Sequence, residues 1–226
     1  DGDTRTTPEL IYSPEKITSY EAGLKGRFLD DALQLTSSIF YYDYSELQKT
    51  GIVNNQAVTV NTGKATVSGL ELSARYRVSS SGRLDATLGL PNAKYKDYTT
   101  PNGTDYSGFK LDKTPSTTLN IGYTHDWSLA SGGGLRGYVG TQYSSSYVTT
   151  DAGSATAPPV QFKQGSFTKS SASLTYYNAD DSFDVQLYVK NIENKTQLMG
   201  SVAFLGSNYG YMSEPRTFGV RATYRF

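Results

Sequence analysis

The sequence has no cysteine, one tryptophan and one histidine, and its 21 basic residues are matched by 21 acidic ones. Without cysteine there is no disulfide framework and no thiolate metal site. The absence of stray thiols also suits an oxidising compartment such as the periplasm. Balanced charge with no basic stripe excludes a nucleic-acid partner. No run approaches the roughly 18 consecutive apolar residues that a membrane helix needs. The chain opens on the polar Asp1-Gly2-Asp3-Thr4-Arg5, with no signal-peptide pattern. Helical periodicity is nearly absent as well.

What the chain has in excess is tyrosine, 19 residues. Tyrosine suits strands, where its ring packs on a pleated surface. It also suits membrane interfaces, because one end is apolar and the other wet. Period-two alternation dominates. Phe218, Val220, Ala222, Tyr224 and Phe226 alternate with Gly219, Arg221, Thr223 and Arg225. Leu119, Ile121, Tyr123, His125 and Trp127 alternate with Asn120, Gly122, Thr124 and Asp126. The pattern predicts nine strands near 17–28, 32–47, 60–78, 83–96, 114–129, 135–148, 166–178, 182–193 and 215–226. Apolar residues change phase around Gly69 and around Pro91, which predicts a β-bulge at each.

Connections alternate in length. Short turns fall at Leu29-Asp30-Asp31, Ser79–Gly82, Ala130–Gly134 and Asn178–Ser182. Longer polar loops lie near 48–60, 97–113, 149–165 and 194–214. A soluble β-sandwich also alternates apolar and polar residues. Three features favour a membrane barrel instead. The strands exceed the usual soluble length of about five or six residues. Loop lengths alternate strictly, as in barrels with short periplasmic turns and long extracellular loops. Aromatics gather at both strand ends: Phe28, Tyr76, Trp127, Tyr176, Phe183, Tyr224 and Phe226 near the turns, and Tyr41, Tyr95, Tyr143 and Tyr147 near the loops. The fold class is therefore all-β, an antiparallel up-and-down transmembrane barrel. Nine strands cannot close by antiparallel pairing, and an open edge is not tolerated in lipid. The chain is then expected to be part of a larger barrel.

Several stretches carry a family resemblance. They are Pro14-Glu15-Lys16-Ile17-Thr18-Ser19-Tyr20-Glu21-Ala22-Gly23-Leu24-Lys25, Phe40-Tyr41-Tyr42-Asp43-Tyr44, and Asn61-Thr62-Gly63-Lys64-Ala65 running into Gly69-Leu70-Glu71-Leu72. Val189-Lys190-Asn191-Ile192-Glu193-Asn194 and Pro215-Arg216-Thr217-Phe218-Gly219-Val220 follow, with Tyr224-Arg225-Phe226 at the end. In order and spacing the set resembles the C-terminal β-barrel of TonB-dependent outer-membrane receptors. The resemblance implies a 22-stranded barrel, with the plug domain, the TonB-contacting segment and the first barrel half outside these 226 residues. It implies uptake of a scarce nutrient, by default a ferric siderophore, powered by the TonB complex. It also implies membrane lipid and the barrel-assembly machinery as partners; Phe218, Tyr224 and Phe226 resemble the terminal signal that machinery reads.

Candidate binding residues are the loop aromatics Tyr98, Tyr106, Phe109, Tyr147, Phe204, Tyr209 and Tyr211, because aromatics give large contact area at low entropy cost. The alternative for them is packing within the loops or the girdle. Glu21, Lys25, Arg27, Glu71, Arg75, Arg77, Arg221 and Arg225 alternate with apolar residues and are expected to line a polar lumen. No catalytic set, metal site or cofactor is implied. His125, two residues before Trp127, reads as an interfacial ring, with no inferable Ser–Asp arrangement beside it. Asp30-Asp31 and Asp180-Asp181 read as turn residues, and Asp1 and Asp3 lack EF-hand spacing. Ser131-Gly132-Gly133-Gly134 lacks the lysine and helix of a phosphate loop and reads as a hairpin turn. The alternatives to a TonB-dependent receptor are a passive porin-like channel and an outer-membrane hydrolase.

Overall fold

The computed structural model describes residues 12–53, 56–100, 103–152, 160–204 and 207–226. They form thirteen strands: β1 Lys16–Phe28, β2 Leu33–Val53, β3 Gln56–Arg77, β4 Gly82–Tyr98, β5 Thr118–Ser128, β6 Gly134–Ser144, β7 Tyr147–Ala152, β8 Val160–Gln164, β9 Phe167–Tyr177, β10 Phe183–Lys190, β11 Leu198–Phe204, β12 Ser207–Met212 and β13 Thr217–Tyr224. Nine of them make one antiparallel sheet in the order β1-β2-β3-β4-β5-β6-β9-β10-β13, while β7–β8 and β11–β12 are separate hairpins. These nine are the nine strands that the alternation predicts. β1 and β13 are the sheet's edges and do not pair with each other.

One row of directly opposed residues crosses all nine strands: Phe28, Leu33, Tyr76, Leu84, Tyr123, Val139, Ala172, Val189 and Phe218. It leaves β1 at its short-turn end and reaches β13 near its long-loop end. The offset between Phe218 and the far end of β13 is six residues, roughly 20 Å of strand. Such stagger is what a tilted sheet accumulates as it closes into a barrel.

The two faces differ in chemistry. The first carries Leu24, Ile39, Leu72, Ile121, Val139, Leu174, Leu187, Phe218 and Val220, all exposed. Burying an aliphatic or aromatic side chain fully is worth about 1.5–3 kcal/mol. In water this face forfeits on the order of 10 kcal/mol, comparable with the whole net stability of a domain. No second sheet covers it among the described residues, so it requires an apolar medium. An apolar groove of about 660 Å³ runs along it, lined by Leu24, Leu35, Leu72, Leu88 and Leu119 among others. The opposite face is polar and carries Arg27, Gln34, Arg75 and Asp85 in one directly opposed row.

The structure corrects two expectations about the sheet. Neither Gly69 nor Pro91 is a bulge: they face each other in an unbroken ladder. Gly69 is needed there because a Cβ would come 2.7 Å from the Phe40 ring and 2.9 Å from the Leu90 carbonyl. Pro91 sits above the last β4–β5 pair, Gly89 with Thr118, where β4 has only one main-sheet neighbour, so a residue without N–H costs the ladder little. The real irregularities are at Lys64/Ala65 and around Glu46, whose φ is 57°. The apolar phase changes because the upper polar face is covered. Ala65, Tyr95, Tyr98 and Tyr106 form the buried cluster, with Tyr44, Leu47 and Leu111 packed on it.

Loop boundaries are the second correction. Pairing of β2 with β3 continues through Thr50–Thr59 to Val53–Gln56, so strand replaces most of the loop expected at 48–60. The later long loops hold the β7–β8 and β11–β12 hairpins. In the segment after β4, Lys110 bridges back to Lys94. Tyr95 leaves the expected upper girdle for the buried cluster, where it is 1% exposed. Tyr147 belongs to the β7–β8 hairpin rather than to the girdle.

Candidate functional site

The polar face builds a cleft from two adjoining rows. The first contains Asp85, Gly122, Gly140, Ser171 and Lys190; the second contains Thr87, Asn120, Gln142 and Lys169. Two glycines side by side leave the first row without side chains at its centre. The Tyr138 ring lies over both, and a Cβ on either would meet it. The resulting cleft has a volume of about 540 Å³ and includes Asn120, Tyr138, Gln142, Lys169 and Lys190 in its lining. That volume falls within the range of small-molecule sites.

Lys169 is the best anchored of these residues. Its Nζ donates to Gln197 Oε1 at 3.0 Å and Ser213 Oγ at 2.7 Å. Gln197 Nε2 in turn donates to Tyr147 Oη at 2.8 Å, and the Leu198 amide donates to Gln164 Oε1. One ammonium therefore ties the bases of both extra hairpins to the sheet wall. Lys190 Nζ stands 5.7 Å from the centre of the Tyr188 ring. Among the described residues neither lysine has an ion pair. Nearer the short turns two acids are paired: Asp85 receives Arg75 at 2.8 Å and Arg83 at 2.7 Å, and Asp126 receives Arg136 at 2.7 Å.

Asn191 fixes the end of β10. It is 8% exposed. Its Nδ2 donates to the Lys195 carbonyl at 3.1 Å and to the Glu214 carbonyl at 3.2 Å, while its Oδ1 accepts the Lys195 amide at 2.8 Å. Its φ of 53° is a left-handed conformation that asparagine tolerates. This accounts for one of the motif residues that the sequence marks without explaining.

The loop aromatics do not form one cluster: Tyr98, Tyr106 and Phe109 pack on one another, whereas Tyr147 lies on the β7–β8 hairpin and Tyr209 and Tyr211 on β12. Tyr98 and Tyr106 are buried at 5% and 1% exposure. Tyr98 stacks on Tyr95 at 4.5 Å and on Tyr106 at 5.7 Å between centroids, beneath Lys49, which pairs with Asp112 at 3.1 Å. Tyr147 is half-buried in the Lys169 network. Phe109, Tyr209 and Tyr211 are exposed. The side chain of Phe204 lies outside the described residues, as do Asp1 and Asp3.

All eight charged residues expected in the lumen fall on the polar face. Glu21, Lys25, Arg27, Glu71, Arg75, Arg77 and Arg221 are placed there by register. Arg225 follows β13 and reaches Asp184 at 3.2 Å. Phe218 and Tyr224 lie exposed on the apolar face, and the Tyr224 and Phe226 ring centroids are 6.0 Å apart. His125 packs between Tyr123, whose Oη is 2.9 Å from Nδ1, and Trp127, 4.6 Å away by centroid, as an interfacial ring would. Asp180 caps its turn: its carboxylate accepts the amide and hydroxyl of Ser182, which hold it below the usual carboxylate range.

Lys169, Gln142, Asn120 and Tyr138 are missing from the expected set, although the same alternation that marks Glu21 and Arg221 puts them on the polar face. What alternation lacks is cross-strand register, which brings them beside Gly122 and Gly140.

A family model described as TonB dependent receptor-like, beta-barrel matches residues 2–192. Among curated proteins, the chain is similar to the probable TonB-dependent siderophore receptor PiuA of Acinetobacter baumannii, with 23% identity over 232 residues, 96% of this chain and 28% of that protein. The ferric yersiniabactin uptake receptor FyuA of Yersinia pestis shares the fold with a TM-score of 0.76 at 17% identity, over 94% of this chain and 30% of that one. The solved siderophore receptor PiuA of Acinetobacter baumannii gives a TM-score of 0.71 at 21% identity, over 97% of this chain and 30% of that one. The chain thus spans less than a third of the length of these relatives.

Proposed function

This chain belongs to the TonB dependent receptor-like β-barrel family, and from that premise we propose that it is the C-terminal barrel part of an outer-membrane receptor that imports a scarce nutrient, a ferric siderophore by default. The observation that carries the reading is the sheet itself, with an exposed apolar face, a charged face and two edges that are unpaired among the described residues. The apolar face suits lipid, and the charged face suits a water-lined lumen. The open edges call for further strands on both sides, because unpaired backbone is not tolerated in lipid.

In the intact receptor we assign those strands to the rest of a 22-stranded barrel, with a plug domain inside it. Glu21, Lys25, Arg27, Glu71, Arg75, Arg77, Arg221 and Arg225 then line the lumen and meet the plug. The TonB complex engages a segment outside this chain. Phe218, Tyr224 and Phe226 are offered to the barrel-assembly machinery. Phe109, Tyr209 and Tyr211 are the loop aromatics best exposed for cargo, with Phe204 on the same hairpin. The ligand class rests on the relatives, which are named as siderophore receptors.

The test is uptake by a strain deleted for the full-length gene and complemented with it. Radiolabelled iron presented as a siderophore should accumulate only with the gene, and the accumulation should stop when TonB is removed or the proton gradient is collapsed. Accumulation that survives loss of TonB would place the protein with passive channels instead.

A further inference from the structure

Resting on the receptor reading, we propose that Lys169 and Lys190 set the charge of the cargo: the cleft selects a metal chelate of net negative charge over neutral and cationic ones. Lys190 lies directly opposite Ser171, two residues along β9 from Lys169 and on the same face. The two lysines are therefore diagonal neighbours, with backbones roughly 7–8 Å apart. Two ammonium groups so placed repel each other. Among the described residues neither is answered by a carboxylate. The acid in the cleft lining, Asp85, already receives two arginines. The Glu193 carboxylate is occupied elsewhere, accepting the backbone amide of Ser170 at 2.7 Å. The hydrogen bonds of Lys169 go to neutral oxygens only, those of Gln197 and Ser213.

An ammonium carries three donors, so Lys169 keeps one for a ligand. Around the two lysines stand Asn120, Gln142 and Tyr138, which can donate to or accept from the rim of an oxygen-rich chelate. An anion entering here would relieve the repulsion and gain charge-assisted hydrogen bonds. A neutral chelate gains only the polar contacts. A cationic one meets like charge, the arrangement by which sites reject wrong partners.

The test uses the purified full-length receptor in detergent and three ferric complexes of different net charge. They are a tris-catecholate trianion, a neutral trihydroxamate and a trihydroxamate bearing a free ammonium group. Affinity is measured by equilibrium dialysis of radiolabelled iron. The trianion should bind best, and its affinity should fall with added salt. Lys190→Gln should weaken the trianion about tenfold, and the double change with Lys169→Gln about a hundredfold, while the neutral complex changes less than about twofold. Because Lys169 also ties two hairpins, Lys169→Arg serves as the control: charge preference should survive in it if charge rather than tethering is the cause. Equal binding of all three complexes, or a charge preference unchanged in the double variant, overturns the inference alone. Binding of none of the three overturns the receptor reading and the inference with it.

Discussion

Leu187 gives the sharpest test of the membrane reading. It lies on the apolar face of β10, opposite Leu174 on one side and Val220 on the other, and is 53% exposed. In a protein surrounded by water, replacing a half-exposed leucine by arginine changes stability by about 0.5 kcal/mol or less. In a bilayer the same change depends on depth. Leu187 is four residues from Phe183 in the short-turn girdle, about 13 Å along the strand and about 10 Å along the membrane normal at a tilt near 40°. The apolar band of such barrels is about 25 Å tall, so Leu187 sits close to its middle, where arginine costs about 2–4 kcal/mol. Ser173, on the polar face opposite Tyr188, is the internal control, since Ser173→Arg points a charge into the lumen instead. Tyr224→Arg at the girdle should cost about 0–1 kcal/mol. The assay is urea titration of the full-length receptor folded into phosphatidylcholine vesicles, with the folded fraction read from the heat-dependent gel shift. Leu187→Arg should lose about 3 kcal/mol while Ser173→Arg stays near wild type. If the two variants unfold alike, the apolar face does not meet lipid.

Four further outcomes can be checked. Asn191→Ala removes three hydrogen bonds from a buried side chain and leaves two carbonyls and an amide without it; it should cost about 2–4 kcal/mol in the same titration, and Asn191→Gly, which keeps the left-handed backbone, should recover little of it. Leu29, Asp30 and Asp31 all have positive φ, at 55°, 52° and 64°; Leu29→Gly should therefore raise the unfolding midpoint by the equivalent of about 1 kcal/mol, and a lowered midpoint would refute the strain. Asp180 is held below its ordinary value of 3.8 by its Ser182 hydrogen bonds; a depressed folded pKa gives stability that is present above the unfolded pKa and lost as pH falls through the folded one. Hydrogen exchange at the Ser182 amide should thus stay slow down to about pH 4 and quicken only below it, whereas in Asp180→Asn it should be insensitive to pH in that window once the intrinsic rate is divided out. His125→Phe should leave iron uptake intact, because that ring packs in an aromatic girdle; loss of uptake in a folded variant would give His125 a direct role.

The sheet was legible in the sequence because a strand buried on one face by lipid and wetted on the other writes its period directly into the residues. Leu187, Val189 and their polar neighbours announce β10 without any tertiary information, and the short turns between runs fix the strand order. Alternation fails where a second layer appears. Ala93 and Tyr95 look out of phase because the segment carrying Tyr106 and Leu111 pairs back along upper β4 and packs its side chains on their face, while Asn92, Lys94 and Lys96 on the other face are exposed. The change of phase resembles a slipped ladder, and the sequence cannot tell a slip from a covering. Gly69 illustrates the same ambiguity: glycine marks a bulge or a close approach with equal force, and the Phe40 ring shows that it is the approach.

The candidate site was less legible for a related reason. Loop aromatics attract attention because they are large and lie near the mouth, yet a loop of this length needs its own core. Tyr98 and Tyr106 supply that core, each stacking on a neighbour instead of facing outward. The cleft arises instead from residues that are unremarkable one at a time: two glycines, an amide on each of two strands and two lysines. They become a site only when register sets Gly122 beside Gly140 and Ser171 beside Lys190. A binding wall in a barrel is written across strands, so no segment of the chain contains it. The same geometry makes Lys169 a junction. The residue that would attract the cargo also holds the bases of the β7–β8 and β11–β12 hairpins, through Gln197, Tyr147 and Ser213. A ligand drawing Lys169 away from Gln197 and Ser213 would loosen both hairpins together, so hydrogen exchange at the amides of Gln197 and Ser213 should quicken when the trianionic chelate binds. Slower exchange there would mean that the tether is kept in the complex.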